Sequence, residues 1–171
     1  MRYVLRDGLF GPGDPYEIPN EHGWRALVAA PGQPWRESLM IRDRAGIERA
    51  TLTLRRYPSG AAYELMRRGR PLALVTREAG LLSSTVVLCL EEEGGEARVC
   101  GDLAASEYRI AMGDAVLAEV SRRWHTREGL YGVEVADGQR DALLLAACVA
   151  VDALARRAAK AGLRGWLRRA A

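Results

Sequence analysis

Residues 141–155, Asp-Ala-Leu-Leu-Leu-Ala-Ala-Cys-Val-Ala-Val-Asp-Ala-Leu-Ala, decide the fold. Alanine and leucine favour helix, and Asp137 and Asp141 stand where they would cap its start or face its positive end. From Ala142 to Val151 no polar residue interrupts the run. A helix built from it is apolar on every face, so it cannot lie on a sheet with one side in water and must be surrounded. The run falls short of the about 18 to 20 residues that span a bilayer, so no transmembrane helix is expected. Asp152 is the one charge between Ala142 and Ala155. It stands either at the mouth of the surrounding structure, in water, or buried beside an arginine; the cost of an unpaired buried carboxylate favours the mouth.

What surrounds the helix is read from residues 1–135, where short alternating segments are broken by Gly, Asn or Asp. Four β-hairpins are predicted: Tyr16–Ile18 with Leu27–Ala29, Leu39–Ile41 with Ala50–Leu52, Tyr63–Leu65 with Ala73–Val75, and Tyr108–Ile110 with Ala118–Val120. Each pair flanks polar residues that tolerate the left-handed backbone of tight turns. That many hairpins make too many strands for one flat sheet with exposed edges, so closure into a barrel or sandwich is favoured. A single all-apolar helix among β-hairpins selects the barrel, with the helix threaded through it.

A fifth hairpin joins Thr85–Leu90 to Ala97–Cys100 around Glu91-Glu92-Glu93-Gly94-Gly95-Glu96. A two-residue turn at Gly94-Gly95 sets Leu90 opposite Val99 and Cys89 opposite Cys100, in a hydrogen-bonded pair whose side chains are held apart. The three cysteines, Cys89, Cys100 and Cys148, have no CxxC spacing. They read as reduced, small buried hydrophobes rather than a disulfide framework or zinc site. The acidic run reads as a charged hairpin tip.

The 171 residues are 49% apolar and 27% charged, which fits one compact domain. The expected organisation is a barrel domain over 1–161 that includes a core helix at about 139–161, followed by a basic tail over 162–171. The first ten residues lack the apolar core of a secretory signal, so a cytoplasmic location is expected. Net charge is +3, yet the six basic residues from Arg156 onward leave 1–155 at −3. Attraction to anionic surfaces is therefore expected from the tail.

No GxSxG, HExxH, GxxxxGK or GxGxxG motif is present, and in Gly8–Gly13 Pro12 removes a donor that a phosphate cradle would use. His22 and His125 lie far apart near hairpin ends and read as lone surface histidines. Aromatic residues make up only 6% and are not closely repeated, which disfavours a nucleic-acid stacking platform. No catalytic residue, cofactor or metal is expected.

Met1–Ile18 (MRYVLRDGLFGPGDPYEI), 101–110 (GDLAASEYRI), 120–124 (VSRRW) and 131–154 (YGVEVADGQRDALLLAACVAVDAL) resemble the LURP-one-related proteins. Their fold is similar to the tubby C-terminal domain and to phospholipid scramblases. The resemblance implies a mainly β chain with one long helix: a closed antiparallel barrel of about twelve strands around a central hydrophobic C-terminal helix. His125 follows Trp124 where the family often has an aromatic, and the tail runs past the usual end of the fold. Tubby relatives bind phosphoinositides through basic residues on the barrel, but no motif here carries those positions over one by one.

The expected function is a non-enzymatic binding module, with an anionic phospholipid or phosphoinositide surface as its concrete ligand. The contact residues expected are Arg156, Arg157, Lys160, Arg164, Trp166, Arg168 and Arg169, a mixture of basic and interfacial residues. They would place the protein peripherally at a membrane. The alternative is a structural or protein-interaction scaffold with no lipid ligand, its tail a solvated extension of the helix.

Overall fold

The computed structural model describes all residues except 11–12, 33–36, 59, 80–83, 91–93, 139 and 170–171, and all their side chains except those of 79, 84–85 and 162–169. Twelve strands form one antiparallel sheet: β1 (Arg2–Arg6), β2 (Tyr16–Pro19), β3 (Arg25–Pro31), β4 (Ser38–Asp43), β5 (Glu48–Tyr57), β6 (Gly60–Arg67), β7 (Arg70–Ala79), β8 (Ser84–Leu90), β9 (Gly95–Asp102), β10 (Glu107–Met112), β11 (Ala115–Ser121) and β12 (Leu130–Val135). Each strand from β2 to β12 pairs with the next, and β12 then pairs with β1, so the sheet curls almost into a closed barrel. The seam between β1 and β2 is held by the Tyr3–Asn20 bridge, by Glu21 N donating to Arg2 O at 2.9 Å, and by Tyr16 Oη donating to Val4 O at 3.3 Å.

The four repeated hairpins have the expected partners. Tyr16 faces Ala29, Leu39 faces Leu52, Leu65 faces Ala73 and Ile110 faces Ala118. Several of these pairs set a large side chain against an alanine. Small residues on the inner wall leave room for the helix α1 (Asp141–Arg169), which carries its own bulk on Leu143, Leu144 and Leu145. Every residue from Leu143 to Val151 is buried, all the way round the helix. Fully burying each leucine stabilises the fold by about 1.5–3 kcal/mol. Asp141, the first helical residue, spends its carboxylate on the Tyr3 hydroxyl, which donates to it. Asp137 lies in the turn before the helix rather than at its cap.

Three sequence readings change. The β8–β9 ladder sets Leu90 opposite Gly95 and Cys89 opposite Glu96, so Cys89 and Cys100 are not cross-strand neighbours. The reason lies in the alternation. Val86, Leu88 and Leu90 are all buried, and a longer hairpin would carry that inward series on to Glu92. The shorter ladder ends before the acidic run, whose residues 91–93 lie outside the described ones. The cysteines also differ among themselves: Cys148 is buried, Cys89 half-buried and Cys100 exposed. Finally, Asp152 is not at the mouth in water; its side chain is only 12% exposed and is paired with Arg156.

Candidate functional site

The longest strands have 10 residues and span roughly 33 Å, whereas the 29-residue helix spans roughly 43 Å. Helix α1 therefore outruns the barrel at its C-terminal end, and two arginines tie it to opposite walls as it leaves. Arg156 Nε donates to both Asp152 oxygens at 3.0 Å, one turn back, and its Nη2 lies 3.5 Å from Asp7 Oδ2. Asp7 in turn accepts a bidentate pair of bonds from Arg122 at 2.9 and 3.0 Å, and Arg122 also donates to Ser106 Oγ. Asp152 accepts a further bond from Gly8 N at 3.0 Å. Gly8 has φ +65, a left-handed conformation that suits glycine and turns its N–H toward the helix. Burial lifts the Asp152 carboxyl above its ordinary range, although Arg156 and the Gly8 N–H pull it back.

On the other side, Arg157 Nε donates to Tyr63 Oη at 3.1 Å and Nη2 donates to Glu37 Oε2 at 2.8 Å. Arg56 of β5 shares Glu37, donating to its other oxygen at 2.7 Å. Burial draws the Arg157 guanidinium down, but Tyr63 and Glu37 outweigh it and hold the proton more firmly than usual. Between the two arginines lies a cavity of about 420 Å³ lined by Phe10, Tyr63, Ala153, Arg156, Arg157, Lys160 and Ala161. The Phe10 and Tyr63 rings meet edge to face, centroids 4.8 Å apart. Lys160 is exposed at its rim and has no ion-pair partner among the described residues. Arg56, Arg122, Arg156, Arg157 and Lys160 outnumber Asp7, Glu37 and Asp152 by two. The helix exit thus carries surplus positive charge beside an aromatic wall, an arrangement suited to an anionic group.

Of the expected contact residues, Arg156, Arg157 and Lys160 come together around this cavity. The side chains of Arg164, Trp166, Arg168 and Arg169 lie outside the described ones, on helical backbone that continues to Arg169. Arg156 and Arg157 are also structural, because each is already engaged by carboxylates of the chain. Sequence reasoning missed those partners. Asp7 carried a signal, since an Asp-Gly pair after a short strand marks a turn at a barrel end; nothing in the sequence singled out Glu37 or Tyr63.

At the other extremity of the VSRRW stretch, Trp124 lies against Gly132 of β12, with the Arg2 guanidinium 4.8 Å above its ring. A Cβ at position 132 would meet Trp124 Cε3 at 2.8 Å, so glycine is what lets the indole lie flat on the strand. Arg122–Trp124 form a 3₁₀ turn rather than strand, and Arg122 and Arg123 pair with Asp7 and Glu107. His22 is exposed beside Trp24, and His125 lines a small cavity with Trp124. Among the described residues no three His, Cys, Asp or Glu side chains are placed to hold a metal, and no helix is long and apolar enough to cross a membrane.

No curated protein matches the chain significantly. Its fold is similar to the X-ray structure of a protein from Arabidopsis thaliana, with a TM-score of 0.60 at 15% sequence identity over 90% of this chain and 91% of that one. The sequence model of the LURP-one-related family matches residues 4–152, from the first strand to the aspartate that meets Arg156. That span holds nearly all of the barrel and most of the buried part of its helix: the chain belongs to the LURP-one-related family.

Proposed function

We propose that this barrel is a non-catalytic binding module that meets anionic phospholipid surfaces, phosphoinositides included, with the end from which α1 projects. The observation that carries the reading is the cavity at the helix exit, where Arg156, Arg157 and Lys160 converge beside Phe10 and Tyr63. Beyond it the helical backbone continues through a segment with Arg164, Arg168 and Arg169 interleaved with Leu163, Trp166 and Leu167. Residues 163, 166 and 167 recur at helical spacing, as in helices that lie in a membrane interface. A basic residue near an anionic bilayer contributes about 1 kcal/mol. Arg156 and Arg157 already face carboxylates, so the larger share falls to Lys160 and the three arginines that follow. A peripheral cytoplasmic location belongs to the same proposal.

Co-sedimentation with phosphatidylcholine vesicles, with and without phosphatidylserine or a phosphoinositide, tests the reading. Binding should require the anionic lipid and weaken steeply as salt shortens the Debye length to about 8 Å at physiological strength. Lys160→Glu and deletion of 162–171 should each weaken it. If the full chain ignores anionic vesicles at low salt, the lipid reading falls and a protein-interaction scaffold replaces it.

A further inference from the structure

Beside the cationic cavity, and separated from it by Arg157, runs a second one of about 530 Å³ between α1 and strands β5, β6 and β7. Its floor is apolar and buried, formed by Ala62 and Leu154. Leu154, Ala158 and Ala161 follow one another along a single face of α1 at helical spacing. Where the enclosed part of the helix fills its surroundings with leucine, this face carries two alanines, and the space they leave is the groove. Tyr57, half-exposed, and the Gly60 turn form the opposite lip.

The charges at the groove are of one sign. Arg77 and Arg157 line it, and among the described residues no acidic side chain does. Among the described residues the Arg77 side chain has no ion-pair or hydrogen-bond partner. Arg157 directs Nε to Tyr63 and Nη2 to Glu37, which leaves its Nη1 donors unused among the described residues. A cavity of this size is in the range that holds small ligands. An apolar trough flanked by two guanidiniums complements a molecule with an alkyl body and one acidic end, because guanidinium–carboxylate hydrogen bonds are charge-assisted.

We propose that the groove between α1 and β5–β7 binds a single-chain anionic amphiphile of the fatty-acid type, its acid group between Arg77 and Arg157 and its chain over Leu154 and Ala158. This site takes one molecule from solution, whether or not the tail meets a membrane.

Calorimetric titration of the full chain with decanoate, kept below its micelle concentration, and with decanol as the uncharged control, tests the proposal. Decanoate should bind at one site, with decanol weaker by about tenfold or more. Arg77→Gln should weaken decanoate by a similar factor and leave decanol unchanged. Ala158→Leu, which fills the groove, should abolish binding of both while the melting temperature shows the variant folded. The chain lacking 162–171 should bind decanoate like the full chain, which separates this site from the membrane reading. No saturable decanoate binding, equal binding of decanol, or full binding to either folded variant would overturn it.

Discussion

At Asp152 the folded chain holds a proton more tightly than the unfolded chain does, because burial raises its carboxyl above the ordinary value of 3.8. Between those two values the folded state binds more protons, so this residue's contribution to stability falls as pH rises through that window and is level above it. Asp152→Asn removes the titration. The stability of the parent minus that of the variant, from urea unfolding at a series of pH values, should slope downward from about pH 4 and then flatten. A flat difference throughout would mean that Asp152 sits in water. The Tyr131 hydroxyl is a second buried polar group, and it has no hydrogen-bond partner among the described residues. An unsatisfied buried hydroxyl costs about 1–3 kcal/mol. Tyr131→Phe should therefore raise the melting temperature, by about 2–4 °C for each kcal/mol recovered. A lower melting temperature would show that an internal water satisfies it.

Among the elements, β12 and the turn before it depend on each other through one missing side chain. Gly132→Ala drives a methyl group into the Trp124 ring, and overpacking of this kind costs about 1–3 kcal/mol. In a Trp124→Ala background the same change should cost little, and a double-mutant cycle by denaturant unfolding reads the difference. Contacts of this kind show how far the sequence could be read. The hairpins were legible because alternation with turn residues fixes both partners, and Tyr63–Leu65 duly faces Ala73–Val75. The enclosure of α1 was legible because ten successive apolar residues leave no face for water. The β8–β9 register was not, since slipping the ladder by two residues on each strand keeps the same side chains inward and only the fate of Glu92 separates the alternatives. The site was half legible. Clustered cations from 156 onward pointed to the helix exit, whereas Glu37, more than a hundred positions from Arg157, is joined to it by tertiary structure alone.

For the whole molecule, the buried core ends with Leu154, and the arginine ties to the barrel walls end with Arg157. Deleting 162–171 should leave the melting temperature within about 2 °C of the parent, since changes clear of the core and its polar networks usually stay within about 0.5 kcal/mol. A fall much larger than that would mean that the last turns of α1 also pack on the barrel. The same geometry sets an order in time. Strand β1 pairs with β12, and α1, on which the strands pack, follows all of them in the chain. At about 5–20 residues per second, the ribosome makes β1 about 7 to 27 s before it reaches α1. Through that interval the nascent strands have apolar inner faces and nothing to close upon. A premature stop just before residue 141 would thus release twelve strands and no fold, whereas a stop after 161 would release the same strands together with the helix that fills them.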